Sequence, residues 1–422
     1  MKMIRHNKRM VKKITAKPIL TDEEFGEKYE GTWFDEKDVD QIIKEDADVY
    51  AIQDDGTEKL LGKFRKKVIP KETVQLGWDA FRLLAIPSRN RGASAGPIDL
   101  KGKYWSKRKP AETNKWATRY MQDGKLSKMR VNNVVASGVL GYYESTAFLD
   151  AACRMTSYTR NGLKNFFHGM PFLKTIDAQF KKLVPESYEK QLKALRKHNM
   201  YQIDDTAFST VTVNLNFRTA LHKDAGDYKE GFGNLSVIEW GKYHGGYTIL
   251  PRYRIGFDVR SGDFLAMDVH EWHTNTPMYE TEEDKEFNKQ LPKIQTRDPE
   301  SGVVGSDKNF QRLTFVCYFR EKIANCEESK TLEYYKRDGF NEEEEAKKAR
   351  TATIATLPIP GYTGTFEEAI HAIENTSAGS SARLAQTRKD RKDKTGNKST
   401  KSNKSNKSNK SSKSSRRVSK TK

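Results

Sequence analysis

The sequence predicts an α+β protein with a mainly β core, flanking helices and a disordered basic tail. Three observations support this fold class. Short strand-like runs separated by turn clusters rich in Gly and Asp fill residues 211–320, which is typical of a β-sandwich or barrel rather than of βαβ units. A helical pattern occupies residues 150–198, directly before the strands. Beyond about Thr376 the chain loses its apolar residues, and Lys-Ser-Asn repeats three times from Lys401.

The opening region, residues 1–83, is predicted to flank the core. Thr21-Asp-Glu-Glu has the form of a helix start, with acidic residues in the first turn. Asp54-Asp55-Gly56 separates two apolar runs and predicts a hairpin between them. Residues 71–86 are predicted to be helical, and an irregular, Gly-rich and basic stretch follows at 88–110.

Residues 84–330 are the predicted functional domain, with the β core at about 205–322. Apolar residues recur at helical spacing before that core, at Leu173, Ile176, Phe180 and Leu183 and, after Pro185, at Tyr188, Leu192 and Leu195. Period-two alternation then predicts a half-buried strand through Val211, Val213, Leu215 and Phe217. Five further strand-like runs lie at 235–239, 246–250, 255–259, 263–267 and 312–320.

Three segments lie outside this pattern. Residues 277–309 are polar and show no period, so they are predicted to be a surface insertion between two strands. Residues 341–350 have acidic residues before basic ones, which predicts a capped helix within a C-terminal helical extension at 331–375. Residues 376–422 form the predicted disordered tail.

The positive charge of the chain is concentrated in this tail. Residues 383–422 hold 16 Lys and Arg against two Asp, so they carry +14 of the net +19. Three scattered cysteines predict no disulfide framework, and neither a secretory signal nor an apolar membrane span is visible. We therefore expect an intracellular, soluble protein, with a nuclear or DNA-associated location as one option, and we assume a monomer.

His222-Lys-Asp224 is the motif most suggestive of chemistry. It follows a predicted strand, and residues two apart on a strand point to one side, so both side chains can reach one metal. A second imidazole comes from His270 or His273, which both follow the run at 263–267. Two imidazoles and one carboxylate leave coordination positions of Fe(II) open for a co-substrate and O2. The alternative is a surface histidine beside a solvated aspartate.

Arg312 begins an apolar strand, where an unpaired arginine is costly to bury. Its guanidinium group, with N–H donors arranged as a fork, suits the far carboxylate of a dicarboxylic co-substrate such as 2-oxoglutarate. The Thr314 hydroxyl, on the same strand face, would add a hydrogen bond. An exposed edge arginine or an internal ion pair is the alternative. Arg218 and Asn216 are candidates for the other carboxylate, because even spacing places them on the strand face of His222.

Several runs resemble the TET/JBP family, in its JBP-like viral and microbial branch. These runs are the nineteen residues from Leu221 to Glu239, then Gly-Gly-Tyr-Thr, then Gly-Asp-Phe-Leu-Ala-Met-Asp-Val-His-Glu-Trp-His ending at His273. The likeness is strong over about 200–320, extends back to about 84 and is absent from the tail. The interval from His273 to Arg312 is longer than is usual in the family, and the insertion accounts for it.

The resemblance implies a double-stranded β-helix core of the jelly-roll or cupin-like type. It implies a dioxygenase that uses Fe(II), 2-oxoglutarate and O2 to hydroxylate the 5-methyl group of thymine or 5-methylcytosine in DNA. Motif matching assigns iron to His222, Asp224 and His273, and 2-oxoglutarate to Arg312 with Thr314. Thr-Asn-Thr-Pro277 after His273 favours that histidine over His270, which is then a structural or substrate-facing residue. Protein side-chain hydroxylation and non-catalytic DNA binding are the alternatives.

A methylated base inside a duplex must flip out to reach buried iron, which requires a grip on phosphates and a surface for the base. Arg89, Arg91 and the basic stretch 101–109, with Tyr104 and Trp105, form a loop suited to this, unless it is only a solvated loop. Trp272, Tyr243 and Tyr247 belong either to the core or to the pocket. The tail lysines either contact phosphates or serve as a solubilising or nuclear-targeting segment.

Overall fold

The computed structural model describes residues 10–89, 91–98, 100, 123–125, 132–146, 148–291 and 307–360, and the backbone alone at 110–111 and 118–119. All of them lie in the first of the two units of the chain, Met1–Ala372. The stretch 101–109, with Tyr104 and Trp105, and the tail 376–422 lie outside the described residues. Within the described ranges, no helix is both long and apolar enough to cross a bilayer.

The described residues form eighteen strands and nine α-helices. The strands are β1 Lys12–Ala16, β2 Gln41–Ile43, β3 Ala47–Ile52, β4 Glu58–Arg65, β5 Ile86–Ser88, β6 Pro110–Ala111, β7 Thr118–Arg119, β8 Val135–Tyr143, β9 Arg154–Met155, β10 Thr210–Leu215, β11 Gly233–Trp240, β12 His244–Gly245, β13 Thr248–Leu250, β14 Ile255–Phe257, β15 Phe264–Met267, β16 Thr274–Asn275, β17 Met278–Tyr279 and β18 Gln311–Tyr318. The helices are α1 Asp22–Tyr29, α2 Lys71–Phe81, α3 Ser157–Asn161, α4 Leu163–His168, α5 Met170–Leu183, α6 Pro185–Leu195, α7 Glu282–Gln290, α8 Glu328–Arg337 and α9 Glu342–Arg350.

Two sheets face each other in a double-stranded β-helix. The major sheet has the order β1-β3-β4-β15-β11-β18-β10-β8-β5, and the minor sheet has the order β16-β13-β14-β2. From β10 onward the chain alternates between them, because β11, β15 and β18 join the major sheet whereas β13, β14 and β16 join the minor one. This alternation is the jelly-roll arrangement and confirms the predicted β core.

Strand β18 separates two environments. Phe315 faces the helices and packs against Phe172 of α5 and Phe81 of α2, with ring centroids 4.9 and 5.9 Å apart. Thr314 and Val316 face the other way and line a cavity between the sheets. The period-two pattern of this strand therefore places apolar side chains on the helical side and leaves mixed polarity toward the cavity.

The opening 83 residues contribute to both sheets rather than only flanking them. Strands β1, β3 and β4 extend the major sheet beyond β15, and β2 pairs in parallel with β14. Side chains from β3 and β4, including Val49, Leu61 and Phe64, share one core cluster with β11, β14 and β15. The predicted hairpin at 49–61 is confirmed as the antiparallel pair β3–β4.

Several predicted elements differ in extent. Helix α2 ends at Phe81 rather than at residue 86, and Ile86 is already the first residue of β5. Strand β10 ends at Leu215, since Asn216 has a φ of +47°, so the predicted strand does not continue toward residue 217. The insertion at 277–309 is not irregular throughout: it contains β17 and α7, which begins in a capping box formed by Thr281 and Asp284.

One disulfide, Cys153–Cys326, lies 173 residues apart in sequence, with Cα atoms separated by 5.5 Å. It belongs to a buried cluster that includes Tyr201 and Tyr335 and joins the segment before α3 to the segment before α8. The sequence predicts no disulfide framework, and this single bridge departs from that expectation because its two cysteines meet only in the folded chain. Cys317 is buried and free.

Candidate functional site

Two histidines from distant parts of the chain meet as a backbone pair. The His222 amide donates to the His273 carbonyl at 3.1 Å, and the His273 amide donates to the His222 carbonyl at 3.0 Å. The ring centroids lie 4.3 Å apart. The two imidazoles are therefore placed side by side by main-chain hydrogen bonds, at the point where the segment after β10 reaches the minor sheet.

Each imidazole is oriented by a backbone carbonyl. His222 Nδ1 lies 2.8 Å from the Ala220 carbonyl oxygen, and His273 Nδ1 lies 2.9 Å from the Glu271 carbonyl oxygen. A carbonyl oxygen only accepts, so both Nδ1 atoms donate, which in a neutral ring leaves the lone pair on Nε2 for a metal. Burial, followed by the neighbouring His273, lowers the pKa of His222 to about 4, so this ring is neutral near pH 7 as a metal ligand must be.

Asp224 completes a group of three. One carboxylate oxygen lies 3.5 Å from His222 Nε2 and the other lies 3.7 Å from His273 Nε2. A ligand atom from each of the three side chains lies within 4.8 Å of the other two. Ligand bonds of about 2.0–2.2 Å place neighbouring donors about 3 Å apart, so a small contraction would let one ion share all three. Two imidazoles and one carboxylate on one side of an open cavity suit Fe(II).

His270 lies apart from this group. Its Nε2 is 3.2 Å from the Tyr228 carbonyl oxygen, and it is not among the cavity-lining residues. Of the two histidines that the sequence leaves as alternatives, the structure brings His273 to His222 and Asp224.

The three side chains open into a cavity of about 490 Å³ between the sheets. Its walls come from β10, β11, β13, β15, β16 and β18, from the loop after β10 and from the segment around residue 92. The lining includes Thr212, Asn214, Leu235, Thr248, Met267, Val269, Asn275, Thr314, Val316 and Tyr318. A volume of this order is typical of a small-molecule pocket.

Arg312 lies beside this cavity, and its guanidinium has few hydrogen-bond partners among the described residues. It is 3 % exposed, and its Nη1 donates to the Thr314 hydroxyl, which lines the cavity. Its Nε and Nη2 are buried without an acceptor among the described residues. Unmade hydrogen bonds of a buried cation are costly, and a carboxylate ligand is the group that would satisfy a guanidinium fork.

Asn216 and Arg218 are occupied elsewhere and do not line the cavity. The Asn216 amide donates to the Phe310 carbonyl at 2.8 Å, and its oxygen accepts from the Arg312 amide at 2.7 Å. Arg218 donates to Asp35 at 2.7 Å and to the Phe34 carbonyl. Even spacing does not bring them to the face of His222, because β10 ends before these residues. Their assignment to the second carboxylate therefore has no geometric support.

The remaining candidates divide into residues that line the cavity and residues that do not. Arg91 and Trp272 line it, whereas Arg89, Tyr243 and Tyr247 do not. The Trp272 indole donates to the Asp22 carbonyl at 3.0 Å, and Lys223 lies over its ring at 4.8 Å. Tyr243 is a core residue, stacked on Phe310 with centroids 4.6 Å apart.

Two features of the site are missing from the sequence prediction. Asp227 lines the cavity, is 6 % exposed and has a carboxyl oxygen without a partner among the described residues. Burial, followed by the charge of Asp224, raises its pKa well above the usual range. Helix α1 also reaches the site, because both Asp22 carboxylate oxygens accept from Lys223 at 2.6 Å. The close spacing of Asp224 and Asp227 in the sequence could have indicated the role of Asp227. No local pattern indicates that helix α1 reaches the site.

Comparison with known proteins agrees with this geometry. The profile of the Tet_JBP family, described as the oxygenase domain of the 2OGFeDO superfamily, matches residues 138–321. The bifunctional helicase and thymine dioxygenase JBP2 of Leishmania infantum is 33% identical over 185 residues, which are 44% of this chain and 14% of that protein. Thymine dioxygenase JBP1-A of Trypanosoma cruzi is 31% identical over 225 residues, covering 53% of this chain and 22% of that protein.

The chain thus spans less than a quarter of the length of these two relatives. A solved structure titled NgTET1 in complex with 5mC DNA aligns with a TM-score of 0.39 at 12% identity, covering 71% of this chain and 88% of that one. The resemblance read from the sequence is confirmed by the family match. Residues 138–321, which carry His222, Asp224, His273 and Arg312, match the oxygenase domain of the 2OGFeDO superfamily, and this part of the chain is similar to the Tet_JBP family.

Proposed function

We propose that this protein is a 2-oxoglutarate- and Fe(II)-dependent dioxygenase that hydroxylates the 5-methyl group of a pyrimidine in DNA, either thymine or 5-methylcytosine. One observation carries the proposal: His222, Asp224 and His273 converge at a cavity beside a buried arginine whose Nε and Nη2 lack acceptors among the described residues. Activity on DNA would also imply a DNA-associated location.

The residues present fit the two absent groups. His222, Asp224 and His273 would hold iron through Nε2, a carboxylate oxygen and Nε2, and Arg312 with Thr314 would hold the distal carboxylate of 2-oxoglutarate. When bound together, iron and 2-oxoglutarate activate O2 for insertion into a C–H bond. The chain supplies orientation and a sheltered cavity, whose apolar wall includes Leu235, Met267 and Val316.

One observation favours thymine as the base: the relatives from Leishmania infantum and Trypanosoma cruzi are named thymine dioxygenases.

Nucleoside mass spectrometry tests this function. The protein is incubated with Fe(II), 2-oxoglutarate and either unmodified or 5-methylcytosine-containing DNA, with His222→Ala as the inactive control. New 5-hydroxymethyluracil is the expected product, whereas 5-hydroxymethylcytosine alone would identify a methylcytosine enzyme. If neither appears while 2-oxoglutarate is still consumed with a peptide substrate, the protein is a side-chain hydroxylase. Full turnover by His222→Ala would contradict the metal assignment.

A further inference from the structure

A largely buried glutamate lies directly beside the proposed co-substrate arginine. Glu239 on β11 is the cross-strand partner of Arg312 on β18. Directly opposed residues on neighbouring strands share a sheet face, with Cβ atoms about 4.5–5.5 Å apart. An unrestrained carboxylate at this position would pair with Arg312 and would occupy the fork that a dicarboxylic co-substrate needs.

Other groups engage both oxygens of Glu239. The Tyr243 hydroxyl donates to Oε1 at 2.5 Å, and the Ser261 amide donates to Oε2 at 2.7 Å. Arg260 Nη1 lies 3.4 Å from Oε1. Burial acts to raise the pKa of Glu239, but Arg260, the Ser261 amide, the Tyr243 hydroxyl and, least of these, the charge of Arg312 together outweigh it, so the pKa is lowered and the group stays ionised. Among the described residues, Arg312 forms no ion pair with it within 4 Å.

Arg260 is itself fixed in place. Its Nε pairs with Asp258, its Nη2 donates to the Gly245 carbonyl at 2.9 Å, and its guanidinium lies 4.7 Å from the centre of the Tyr243 ring. Its side chain is 18 % exposed, as is that of Glu239. Arg260, which lies next to the Glu239 carboxylate, is therefore held in place by contacts with Asp258, Gly245 and Tyr243.

We propose that Arg260 is a positioning residue for the co-substrate: it keeps the Glu239 carboxylate engaged, so that Arg312 remains available to the distal carboxylate of 2-oxoglutarate. The inference rests on the proposed function, because it assumes that Arg312 binds 2-oxoglutarate. It assigns a role to a pair that is neither among the metal-ligand candidates nor among the cavity-lining residues.

Equilibrium binding of 2-oxoglutarate tests the inference without turnover. Calorimetric titration is performed without O2, with Mn(II) in place of Fe(II), on wild type, Arg260→Gln and the double variant Glu239→Gln/Arg260→Gln. Arg260→Gln frees Glu239 to pair with Arg312, so the Kd is expected to rise at least about tenfold. The double variant removes the competing charge, and its Kd is expected to return to within about threefold of wild type. Mn(II) affinity is expected to stay unchanged in both.

Single variants keep the test decisive if Arg260→Gln folds poorly. Tyr243→Phe removes one hydrogen bond that holds Glu239 and is expected to weaken binding in the same direction, but less. Glu239→Gln alone is expected to bind as tightly as wild type or more tightly. Arg254→Gln, which removes an exposed pair with Asp40, is the matched control and is expected to have no effect.

Two results would overturn the inference. One is a double variant that binds as weakly as Arg260→Gln, because Arg260 would then act only through local structure. The other is weaker 2-oxoglutarate binding by Glu239→Gln, because the Glu239 carboxylate would then contribute to binding rather than compete for Arg312. A wild-type protein that binds Mn(II) but no 2-oxoglutarate would instead overturn the proposed function, and the inference with it.

Discussion

Asn216 shows how one residue can shape a site without facing it. Its positive φ ends β10, and its side chain joins the Phe310 carbonyl to the Arg312 amide. The side-chain amide therefore fixes the backbone from which Arg312 projects. Asn tolerates this left-handed conformation better than most residues, which explains the residue type at this position.

The metal group is tested by replacing one imidazole. His222→Ala is expected to lower metal affinity by more than about 100-fold, since removing even an outer partner of a ligand costs 10–100-fold, and to abolish turnover. Anaerobic Fe(II) titration measures the first effect. His270→Ala is the matched control, because that ring lies at the Tyr228 carbonyl and is not among the cavity-lining residues. Equal losses of affinity in both variants would contradict the choice of His273.

The co-substrate fork is tested by Arg312→Lys. Lysine keeps the charge but lacks the paired donors, so the KM for 2-oxoglutarate is expected to rise about 10- to 100-fold, in line with about 1.5–3 kcal/mol for such an interaction. Steady-state kinetics with varied 2-oxoglutarate measures this rise. Thr314→Ser keeps the hydroxyl and serves as the control. An unchanged KM in Arg312→Lys would exclude a two-point interaction.

Sequence predicts some of these residues and not others, for a physical reason. His222 and Asp224 share one short motif, His273 follows one recognisable strand and Arg312 begins another, so the local pattern is sufficient. The pairing of Arg218 could not be predicted, because its partner Asp35 lies 183 residues away and no spacing in the sequence indicates this pair. Even spacing also requires a continuous strand, which Asn216 interrupts.

At the scale of elements, helix α1 supports both ligand-bearing segments. Asp22 binds Lys223, which lies between two ligand residues, and its carbonyl accepts from Trp272, which precedes the third. Gly31 and Thr32, just after the helix, exchange backbone hydrogen bonds with Leu221 at 2.8 Å each. The helix is therefore part of the site, although it lies more than 100 residues before the matched domain.

Gly26→Ala tests this support. A Cβ at Gly26 would lie 2.4 Å from Trp272 Cζ2, so the indole must move and disturb the adjacent His273. Metal affinity is expected to fall about tenfold, measured by Fe(II) titration. Alanine itself favours a helix by up to about 1 kcal/mol, so helix propensity does not account for the fall. Glu27→Ala, on the exposed side of α1, is the control, and an identical affinity in both variants would refute the role.

Helix α7 marks a limit of pattern-based prediction. Its sequence lacks an apolar stripe, so hydrophobic periodicity alone does not predict a helix in the insertion. Tertiary contacts hold it instead: Asn288 donates to the Lys242 carbonyl and accepts from the Lys242 amide, both at 2.8 Å, and Asp284 lies 3.1 Å from His244. The capping box at Thr281 is the one local signal of its start.

For the whole molecule, charge is distributed unevenly between body and tail. Residues 383–422 carry +14, so removing them is expected to weaken DNA binding and flatten its salt dependence, by about 0.9 in log–log slope for each phosphate that the tail neutralises. Fluorescence anisotropy at several salt concentrations measures both effects. A tail of equal length with serine at every Lys and Arg controls for chain length. An unchanged slope would leave the tail a solubilising or targeting role.

The major sheet extends across the limits of the matched domain. Strand β15 lies within residues 138–321, yet one of its edges is covered by β4, which comes from the opening region. A fragment cut at those limits would lack β1, β3 and β4, and with them Val49, Leu61 and Phe64 of the shared core. The unpaired edge of β15 would then offer free backbone groups to another molecule, which is a route to aggregation. A fragment that keeps β15 paired and this shared core complete should therefore begin no later than β1, whose Ile14 and Ala16 pack against the same cluster.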